Sequence, residues 1–395
     1  MRIALLGAGI IGQAIVKDLA DGEDVEEILV GDVNAAAAQQ AAAAAGERGR
    51  ALAIDVTDRK TTAKALRDVD VVINAVQYRF NLDVMHACLD AGVHYLDLGG
   101  LFHMTRKQLE LDDAFRRAGL TAVLGMGSCP GVANVQTGYL ASRLDTVTSV
   151  HIYNGSHPLA DDPLNAPYSI ETILDEITRP AMVFRDGRFV ERPPLSEEEY
   201  VLFPEPIGYA KTHLSLHSEV ATIPLSLKDK GIREVTFKIT FFGYSERALR
   251  QLQFLAELGL ADREPVEVPG GRVRPRDVLV SVLRRQAAAR SASQPASPPT
   301  GVKAIMTVAE GTREGRPARL TLTTFAGPHP RWGISGGKLL VASPPAIVAR
   351  WLADGTIHDP GVHPPETVVP PRPFFAALAQ RGAWTREAVE LFLNE

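Results

Sequence analysis

Hydrophobic and polar positions along the first 127 residues predict short buried strands separated by helices. Six apolar runs rich in Val, Ile and Leu are typical of strands covered on both faces, and they lie at residues 2–6, 27–31, 51–54, 69–75, 94–98 and 121–124. Helices are predicted between them at residues 34–46, 82–91 and 105–118, each ending at or beside a glycine. This alternation predicts an α/β domain with a doubly wound parallel sheet.

From about residue 145 the strands become longer, and apolar and polar residues alternate within them. They are predicted at residues 146–154, 183–185, 188–191, 234–242, 302–310 and 318–325. The Asp186-Gly187 pair and a glycine-rich turn before residue 318 are typical of hairpins. With helices predicted at 169–176 and 245–258, this region is expected to form an α+β domain with a mixed or antiparallel sheet.

Proline-rich segments mark the last third of the chain. Residues 286–300, rich in Ala, Ser and Pro, are expected to form a surface loop. A glycine-rich turn follows at 333–337, then an apolar helix at 344–352 and a tail at 364–395 that is predicted to become helical. We expect these helices to pack back on the first domain. The predicted domains are therefore 1–127, completed by 340–395, and 128–339.

Composition and charge narrow the class of protein. The 395 residues carry 42 Lys and Arg against 47 Asp and Glu, a net charge of −5, which gives no general attraction to nucleic acid or to an anionic membrane. No run approaches a membrane span. Only Cys88 and Cys129 are present, so neither a disulfide framework nor a cysteine-rich zinc site is expected, and a reducing cytoplasm is the expected location.

The strongest motif is Gly7-Ala8-Gly9-Ile10-Ile11-Gly12, which fits G-x-G-x-x-G between a predicted strand and an apolar helix. In that context Gly7 allows the tight turn, Gly9 lets a pyrophosphate approach the backbone, and Gly12 lets the helix pack on the strand. The amide groups of Ile10 and Ile11 begin the helix, whose N-terminus attracts phosphate. The motif predicts a Rossmann-type dinucleotide-binding domain.

Asp32 ends the second strand, 20 residues after Gly12, where a carboxylate accepts hydrogen bonds from the adenosine ribose. It would repel a 2′-phosphate, and no basic residue follows before Arg48, so NAD is favoured over NADP. Asp55 and Val56, after the third strand, are candidates to flank the adenine. Asn74 and Ala75, after the fourth strand, are candidates for the inner ribose, although all four also suit ordinary loop roles.

A further pattern lies in residues 77–81 (QYRFN), 91–100 (AGVHYLDLGG) and 125–134 (GMGSCPGVAN), and in tail segments 343–355 and 361–366. It resembles the saccharopine dehydrogenase superfamily, and within it the lysine 6-dehydrogenase branch. The resemblance implies an NAD(P)-dependent enzyme acting at a carbon–nitrogen bond of an amino acid, and a homo-oligomer. It also implies that 1–127, completed by 340–395, binds the dinucleotide, and that 128–339 serves substrate binding and dimerisation. Cys129 stands where saccharopine-forming members carry an aspartate, which favours the lysine 6-dehydrogenase-like reaction.

Oxidation of an amine requires a group that removes a proton from the ammonium before hydride leaves the carbon. His213, Ser215, His217 and Glu219 alternate at period two, so on a strand they would share one face. His217 and Glu219 are the candidates for the base or water activator, and His213 for substrate binding. A solvated strand face is the simpler alternative, and spacing supplies no complete metal site.

Other candidates follow the fourth, fifth and sixth strands, because ligand sites lie at the carboxyl ends of parallel strands. Asp97 could hold a substrate ammonium or orient a histidine, or could serve a turn. Arg79, beside Tyr78, could clamp a substrate carboxylate, or could be a surface arginine. Cys129 suits packing better than catalysis. Asn134 could cap the following helix or contact substrate.

These features favour an NAD-dependent oxidoreductase that deaminates a terminal amine. One alternative is reductive condensation of an amine with a carbonyl, as in saccharopine or carboxynorspermidine formation. Another is a non-catalytic NAD-binding regulator. The ionisable residues at 213–219 favour an enzyme, because a regulator would not need three such groups on one strand face.

Overall fold

The computed structural model describes residues 1–160, 162–163, 168–240, 243–293 and 299–392. Its first part consists of β1 (Arg2–Leu6), α1 (Ile10–Asp21), β2 (Glu27–Asp32), α2 (Ala35–Ala43), β3 (Gly49–Ala53), α3 (Arg59–Leu66), β4 (Val71–Asn74), α4 (Asn81–Ala91), β5 (His94–Asp97), α5 (Leu101–Leu109), α6 (Asp112–Ala118), β6 (Thr121–Val123) and α7 (Val132–Ser142). The middle part consists of β7 (Thr146–His157), α8 (Ile170–Thr178), β8 (Ala181–Arg185), β9 (Arg188–Arg192), β10 (Glu199–Leu202), β11 (Tyr209–Leu214), α9 (Glu219–Ser226), β12 (Glu234–Ile239), α10 (Glu246–Leu255), β13 (Val266–Val268), β14 (Gly271–Val273), α11 (Pro275–Ser293), β15 (Val302–Arg313) and β16 (Arg316–Ala326). The C-terminal part consists of α12 (Gly336–Ala353), β17 (Gly361–His363), α13 (Pro365–Val368), α14 (Pro371–Gln380) and β18 (Ala383–Leu391).

The first sheet has seven parallel strands in the order β17-β6-β5-β4-β1-β2-β3. The six predicted strands are all present, and β17 adds the seventh. The predicted doubly wound α/β sheet is thus confirmed. Since strand order reverses between β1 and β4, the crevice outside their carboxyl ends is the expected ligand site.

Local sequence explains most helix boundaries in this half of the molecule. The Asn34 side chain accepts hydrogen bonds from the amides of Ala36 and Ala37 and so begins the alanine-rich α2. The helix predicted at 105–118 is instead two helices. Asp112 begins the second one, and its carboxylate accepts a hydrogen bond from the amide of Val362 in β17, a contact that no local pattern reveals.

The second sheet is mixed, in the order β10-β11-β12-β7-β15-β16-β18, with β8 paired to β12 and β9 paired to β8. β7 and β12 are parallel, whereas β15 is antiparallel to both of its neighbours. β8 and β9 form the predicted hairpin around Asp186-Gly187, where both residues have positive φ. α7 packs against β15 and β16. The predicted α+β region with a mixed sheet is confirmed.

Three local predictions differ from the structure. The strand expected through residue 219 ends at Leu214, and α9 begins at Glu219. Residues 286–293, predicted as loop, continue α11, and residues 294–298 lie outside the described residues. β18 was predicted as helix, but its alternating residues pair with β16 and Trp384 stacks on Phe325. The predicted strand positions 241–242 and tail positions 393–395 also lie outside the described residues.

α12 lies between the two sheets and contacts strands of both, namely β4 and β5 on one side and β15 and β16 on the other. The loop after β6, at the carboxyl edge of the first sheet, contacts the second sheet, because Lys303 in β15 donates a hydrogen bond to Ser128 in that loop. Among the described residues, no helix combines the length and the apolar character needed to cross a membrane.

Candidate active site

The glycine loop leaves room for a ligand at one position only. Gly7 has φ +103°, and a Cβ there would lie 2.6 Å from the carbonyl oxygen of Ala75. A Cβ on Gly12 would lie 1.9 Å from the carbonyl oxygen of Gly7. A Cβ on Gly9, by contrast, would meet no atom within 4 Å. Gly7 and Gly12 are therefore required by packing, while Gly9 borders open space.

The start of α1 suits a phosphate group. Gly9 is its N-cap and supplies no side-chain hydrogen bond to the first turn. Ile10 is 53% exposed, although it is apolar, and Ile11 is half-buried. Because the amides of a helix's first turn have no intrahelical partner and attract anions, this turn fits the pyrophosphate of a dinucleotide.

Asp32 lies at the carboxyl end of β2, beside the glycine loop. Its Oδ2 accepts a 2.7 Å hydrogen bond from the amide of Ala8, and its Oδ1 accepts one of 2.8 Å from the amide of Asn34. The next basic residue, Arg48, donates to three backbone carbonyl oxygens, those of Ala20, Gly22 and Val25. The guanidinium of Arg48 therefore binds the backbone, so it does not neutralise the carboxylate of Asp32.

The remaining cofactor candidates have partners within the protein. Asp55 is exposed and accepts hydrogen bonds from the amide and hydroxyl of Thr57, which lower the pKa of its carboxyl group. Val56 is buried, and Ala75 is half-buried beside Gly7. Asn74 is buried and belongs to a hydrogen-bond network described next. Their cofactor contacts stay predictions.

Asp97 is buried within a polar network rather than presented to the cleft. Five groups donate hydrogen bonds to its carboxylate: the Tyr95 hydroxyl, the side-chain amides of Asn81 and Gln108, and the backbone amides of Gly99 and Gly125. Burial raises its pKa, although these hydrogen bonds oppose the change. The arrangement favours the turn-stabilising role for Asp97 over the predicted contact with substrate.

Two segments meet at the carboxyl edge beside Asp97. Ser218 accepts a hydrogen bond from the amide of Gly100 at 3.2 Å and contacts the Thr105 hydroxyl at 3.1 Å. Pro130, in the loop after β6, is so close to Gly99 that a Cβ on this glycine would lie 2.8 Å from its ring. The segment that carries His217 is therefore anchored against the ends of β5 and β6.

α8 lies across the end of β4. The Gln77 side chain donates to Glu171 at 2.8 Å, and the Tyr78 hydroxyl donates to Asp175 at 2.6 Å. Tyr78 therefore binds a helix rather than presenting a free hydroxyl. Arg79 is exposed, with its guanidinium 4.7 Å from the centre of the Phe80 ring.

His217 lies between two buried carboxylates. Its Nδ1 is 2.8 Å from Oε2 of Glu219, and its Nε2 is 3.4 Å from Oε1 of Glu176 in α8. The imidazole stacks on Phe237 with ring centres 3.7 Å apart. Burial alone lowers the pKa of His217, but the two carboxylates more than offset it and raise the value to about 9. The Tyr168 hydroxyl donates to the other oxygen of Glu176.

Lys303 completes this cluster from the second sheet. Its Nζ donates a 2.9 Å hydrogen bond to Ser128 Oγ, in the loop after β6. Burial lowers the pKa of Lys303, whereas the negative charges of Glu176 and Glu219 act to raise it. Burial and Glu219 raise the pKa of Cys129, so its thiol is not a ready nucleophile.

The two remaining predicted substrate contacts, His213 and Asn134, have different surroundings. Burial, with the charges of Arg250 and Lys211, lowers the pKa of His213 to about 3. Asn134 is buried, accepts a hydrogen bond from the amide of Gly131, and donates to Glu366 at 2.8 Å. The structure therefore favours the helix-capping role that the sequence left open for Asn134.

Sequence reasoning missed Glu176 and Lys303. Glu176 lies beside Ile173 and Ile177 on the buried side of α8. A carboxylate next to these apolar residues was the feature of the sequence that could have indicated a functional group there. Lys303 stands near the start of an alternating strand and gave no local signal, because its partner Ser128 is 175 residues away. Within the described ranges, His, Cys, Asp and Glu form no group of three or more arranged to hold a metal.

Comparison with known proteins gives two domain matches that together cover most of the chain. The saccharopine dehydrogenase NADP binding domain matches residues 3–123, and the saccharopine dehydrogenase C-terminal domain matches residues 127–383. A Synechocystis protein named carboxyaminopropylagmatine dehydrogenase is 30% identical over 295 residues, covering 71% of this chain and 72% of its own. A Vibrio cholerae protein named carboxynorspermidine synthase is 26% identical over 314 residues, covering 72% of each.

The solved structure of apo saccharopine dehydrogenase (L-Glu forming) from Saccharomyces cerevisiae has the same fold. It superposes with a TM-score of 0.71 over 98% of this chain and 99% of its own, at 18% identity. The likeness thus extends through both sheets.

Proposed function

The chain belongs to the saccharopine dehydrogenase family, and from that premise we propose that it reductively condenses an amine with a carbonyl compound, or reverses that reaction. At the coarser level, it is an oxidoreductase of this family that binds a pyridine nucleotide. The observation that carries the proposal is the cluster of Glu176, His217, Glu219 and Lys303 at the carboxyl edge of the nucleotide-binding sheet. A regulator would not need such a buried ionisable group beside the dinucleotide.

The names of the relatives support condensation over simple deamination. Carboxynorspermidine and carboxyaminopropylagmatine are carboxylated polyamines, whose secondary amines join two carbon chains. A bound nicotinamide would supply hydride for reduction of the carbon–nitrogen double bond. The protein's residues would hold the amine and carbonyl partners and move the proton on nitrogen. The substrates we propose are a diamine or amino acid and an aldehyde or oxo acid.

Oxidative deamination of a terminal amine is the second candidate. Cys129 supports it, because this residue stands where the saccharopine-forming members carry an aspartate. Partial burial and the nearby Glu219 raise the pKa of the Cys129 thiol, so it supplies no negative charge at neutral pH. The homo-oligomer implied by the family resemblance stays a prediction.

Absorbance at 340 nm separates the candidates. For the condensation we expect consumption of reduced cofactor when both an amine, such as agmatine, 1,3-diaminopropane or lysine, and a carbonyl compound, such as aspartate semialdehyde or 2-oxoglutarate, are present. Controls omit one partner at a time. Formation of reduced cofactor from lysine or a diamine alone, with an aldehyde and ammonia as products, would establish deamination instead. Dinucleotide binding without turnover in either direction would contradict both.

We propose NAD as the preferred cofactor, although the matching domain model is named for NADP. The proposal rests on the Asp32 carboxylate beside the glycine loop and on Arg48, which is held by backbone carbonyls. A 2′-phosphate beside Asp32 would face a like charge.

Replacing Asp32 should change cofactor preference. For Asp32→Ala we expect NADH to bind about tenfold more weakly, through loss of one charged hydrogen bond, while NADPH binds more tightly. Fluorescence titration with each reduced dinucleotide measures both constants. Glu47→Ala, which removes an exposed carboxylate farther along the chain, is the control and should change neither. Tighter binding of NADPH than NADH by the unaltered protein would contradict the proposed preference.

A further inference from the structure

The cluster contains two nitrogen bases, and their surroundings differ. Each ring nitrogen of His217 faces a carboxylate oxygen, Nδ1 that of Glu219 and Nε2 that of Glu176. An ionised carboxylate only accepts hydrogen bonds, so a carboxylate at each ring nitrogen favours the imidazolium, in which both nitrogens are donors. A pKa of about 9 agrees with this geometry. His217 therefore holds no lone pair with which to accept a proton near neutral pH.

Lys303 has the opposite environment. Among the described residues, its ammonium donates a 2.9 Å hydrogen bond to the neutral hydroxyl of Ser128. Glu176 and Glu219 act on its ammonium through charge rather than through a hydrogen bond. Partial burial of an ammonium that has no carboxylate among its described hydrogen-bond partners favours loss of its proton, and the lowered pKa of Lys303 agrees.

The position of Lys303 also suits contact with a substrate. It is the second residue of β15 in the second sheet, yet its amine reaches the loop after β6 in the first sheet. This loop lies at the carboxyl edge, where ligands of such sheets bind. The Lys303 side chain is half-buried, so it is not sealed from the cleft between the sheets.

Building on the proposed function, we propose that Lys303 is the catalytic acid and base of the reaction at the carbon–nitrogen bond, and that His217 is a positioning residue. In amine oxidation, an N–H bond of the substrate ammonium breaks. Its proton bonds to the lone pair of neutral Lys303, and the electron pair stays on the substrate nitrogen. The substrate carbon then gives up hydride, for which oxidised NAD or NADP is the acceptor. In condensation, the Lys303 ammonium returns the proton to the product nitrogen.

Lys303→Met tests this role with a variant that keeps an unbranched side chain only one atom shorter and removes its base. We expect kcat for amine oxidation to fall at least about 100-fold, as for loss of an acid–base group. The rise of kcat/KM with pH should disappear, KM and dinucleotide affinity should change little, and methylamine should restore part of the rate. Lys338→Met is the matched control, because Lys338 on α12 is also a half-buried lysine with a pKa lowered by burial. It should behave like the unaltered protein.

Lys303→Arg keeps a cation at the site but cannot give up its proton, so it covers the possibility that the methionine variant does not fold. We expect it to fold and to lose as much kcat as Lys303→Met. Either variant within about threefold of normal kcat, with the rising pH limb intact, would overturn the role of Lys303 while the proposed function stands. No turnover by the unaltered protein would overturn the proposed function and this role together.

Discussion

Asp97→Ala is expected to destabilise the protein by about 4 kcal/mol or more, which makes this carboxylate a structural centre of the nucleotide-binding domain. Asp97 is fully buried and accepts hydrogen bonds from five donors. Two of these are backbone amides, Gly99 at 2.8 Å and Gly125 at 2.7 Å, and they begin the turns after β5 and β6. Each buried donor left without an acceptor costs about 1–3 kcal/mol. Urea denaturation followed by circular dichroism measures the loss.

Two further variants show whether the effect belongs to the buried network. Asp97→Asn keeps an oxygen for the two backbone amides, and Gln108 can reverse its side-chain amide, so we expect a loss of only about 1–2 kcal/mol. Asp90→Ala removes a carboxylate that binds Arg59 at the surface, and we expect a loss below about 1 kcal/mol. If Asp97→Ala were as stable as the unaltered protein but inactive, the substrate contact predicted from the sequence would be right.

Short-range patterns were enough to predict the nucleotide-binding half of the molecule. Buried parallel strands are continuous apolar runs, so β1 to β6 stand out without knowledge of their neighbours. The glycine loop is equally local, because Gly7 and Gly12 are required by contacts within one strand–turn–helix unit and the adjacent end of β4. Asp32 then follows at a fixed distance along the chain. These features depend little on the rest of the fold.

The candidate catalytic cluster depends on contacts that no such pattern contains. The alternation of polar residues at 213–219 suggested one strand face, but Ser218 is anchored to the start of α5 and Glu219 begins α9. His217 and Glu219 are therefore neighbours across a turn rather than along a strand. Glu176 lies on α8 and Lys303 on β15, and the packing of the two sheets against each other brings them to the cluster.

The same limit explains the misjudged C-terminus. β18 mixes charged and apolar residues without strict alternation, so its sequence alone is also compatible with a helix. Pairing with β16 makes this segment a strand. The paired residues are more than 50 positions apart along the chain, so local analysis does not reveal the pairing. For the catalytic cluster and for β18, distance along the chain hid the partner residues from local analysis.

The imidazolium of His217 should make the stability of the protein depend on pH in a defined window. Its pKa is about 9 in the folded protein and about 6.5 in an unfolded chain. A raised folded-state pKa means that the stabilisation is fully present below pH 6.5 and is lost as the pH rises through 9. The difference corresponds to about 3 kcal/mol. We therefore expect His217→Gln to be several kcal/mol less stable at pH 6 but much closer to the unaltered protein at pH 10.

Urea denaturation of both proteins between pH 5 and 10 gives this difference directly, because titrating groups that the two share largely cancel. His94→Gln is the matched control, since burial lowers the pKa of His94 and it accepts a hydrogen bond from the amide of Thr121. A lowered histidine pKa confines its effect to pH values below about 6.5, so the His94→Gln difference should be flat from pH 7 to 10. A His217→Gln difference that is also flat above pH 7 would show that His217 is neutral in the folded protein. His217 would then be available as the base, and the assignment of that role to Lys303 would lose its main support.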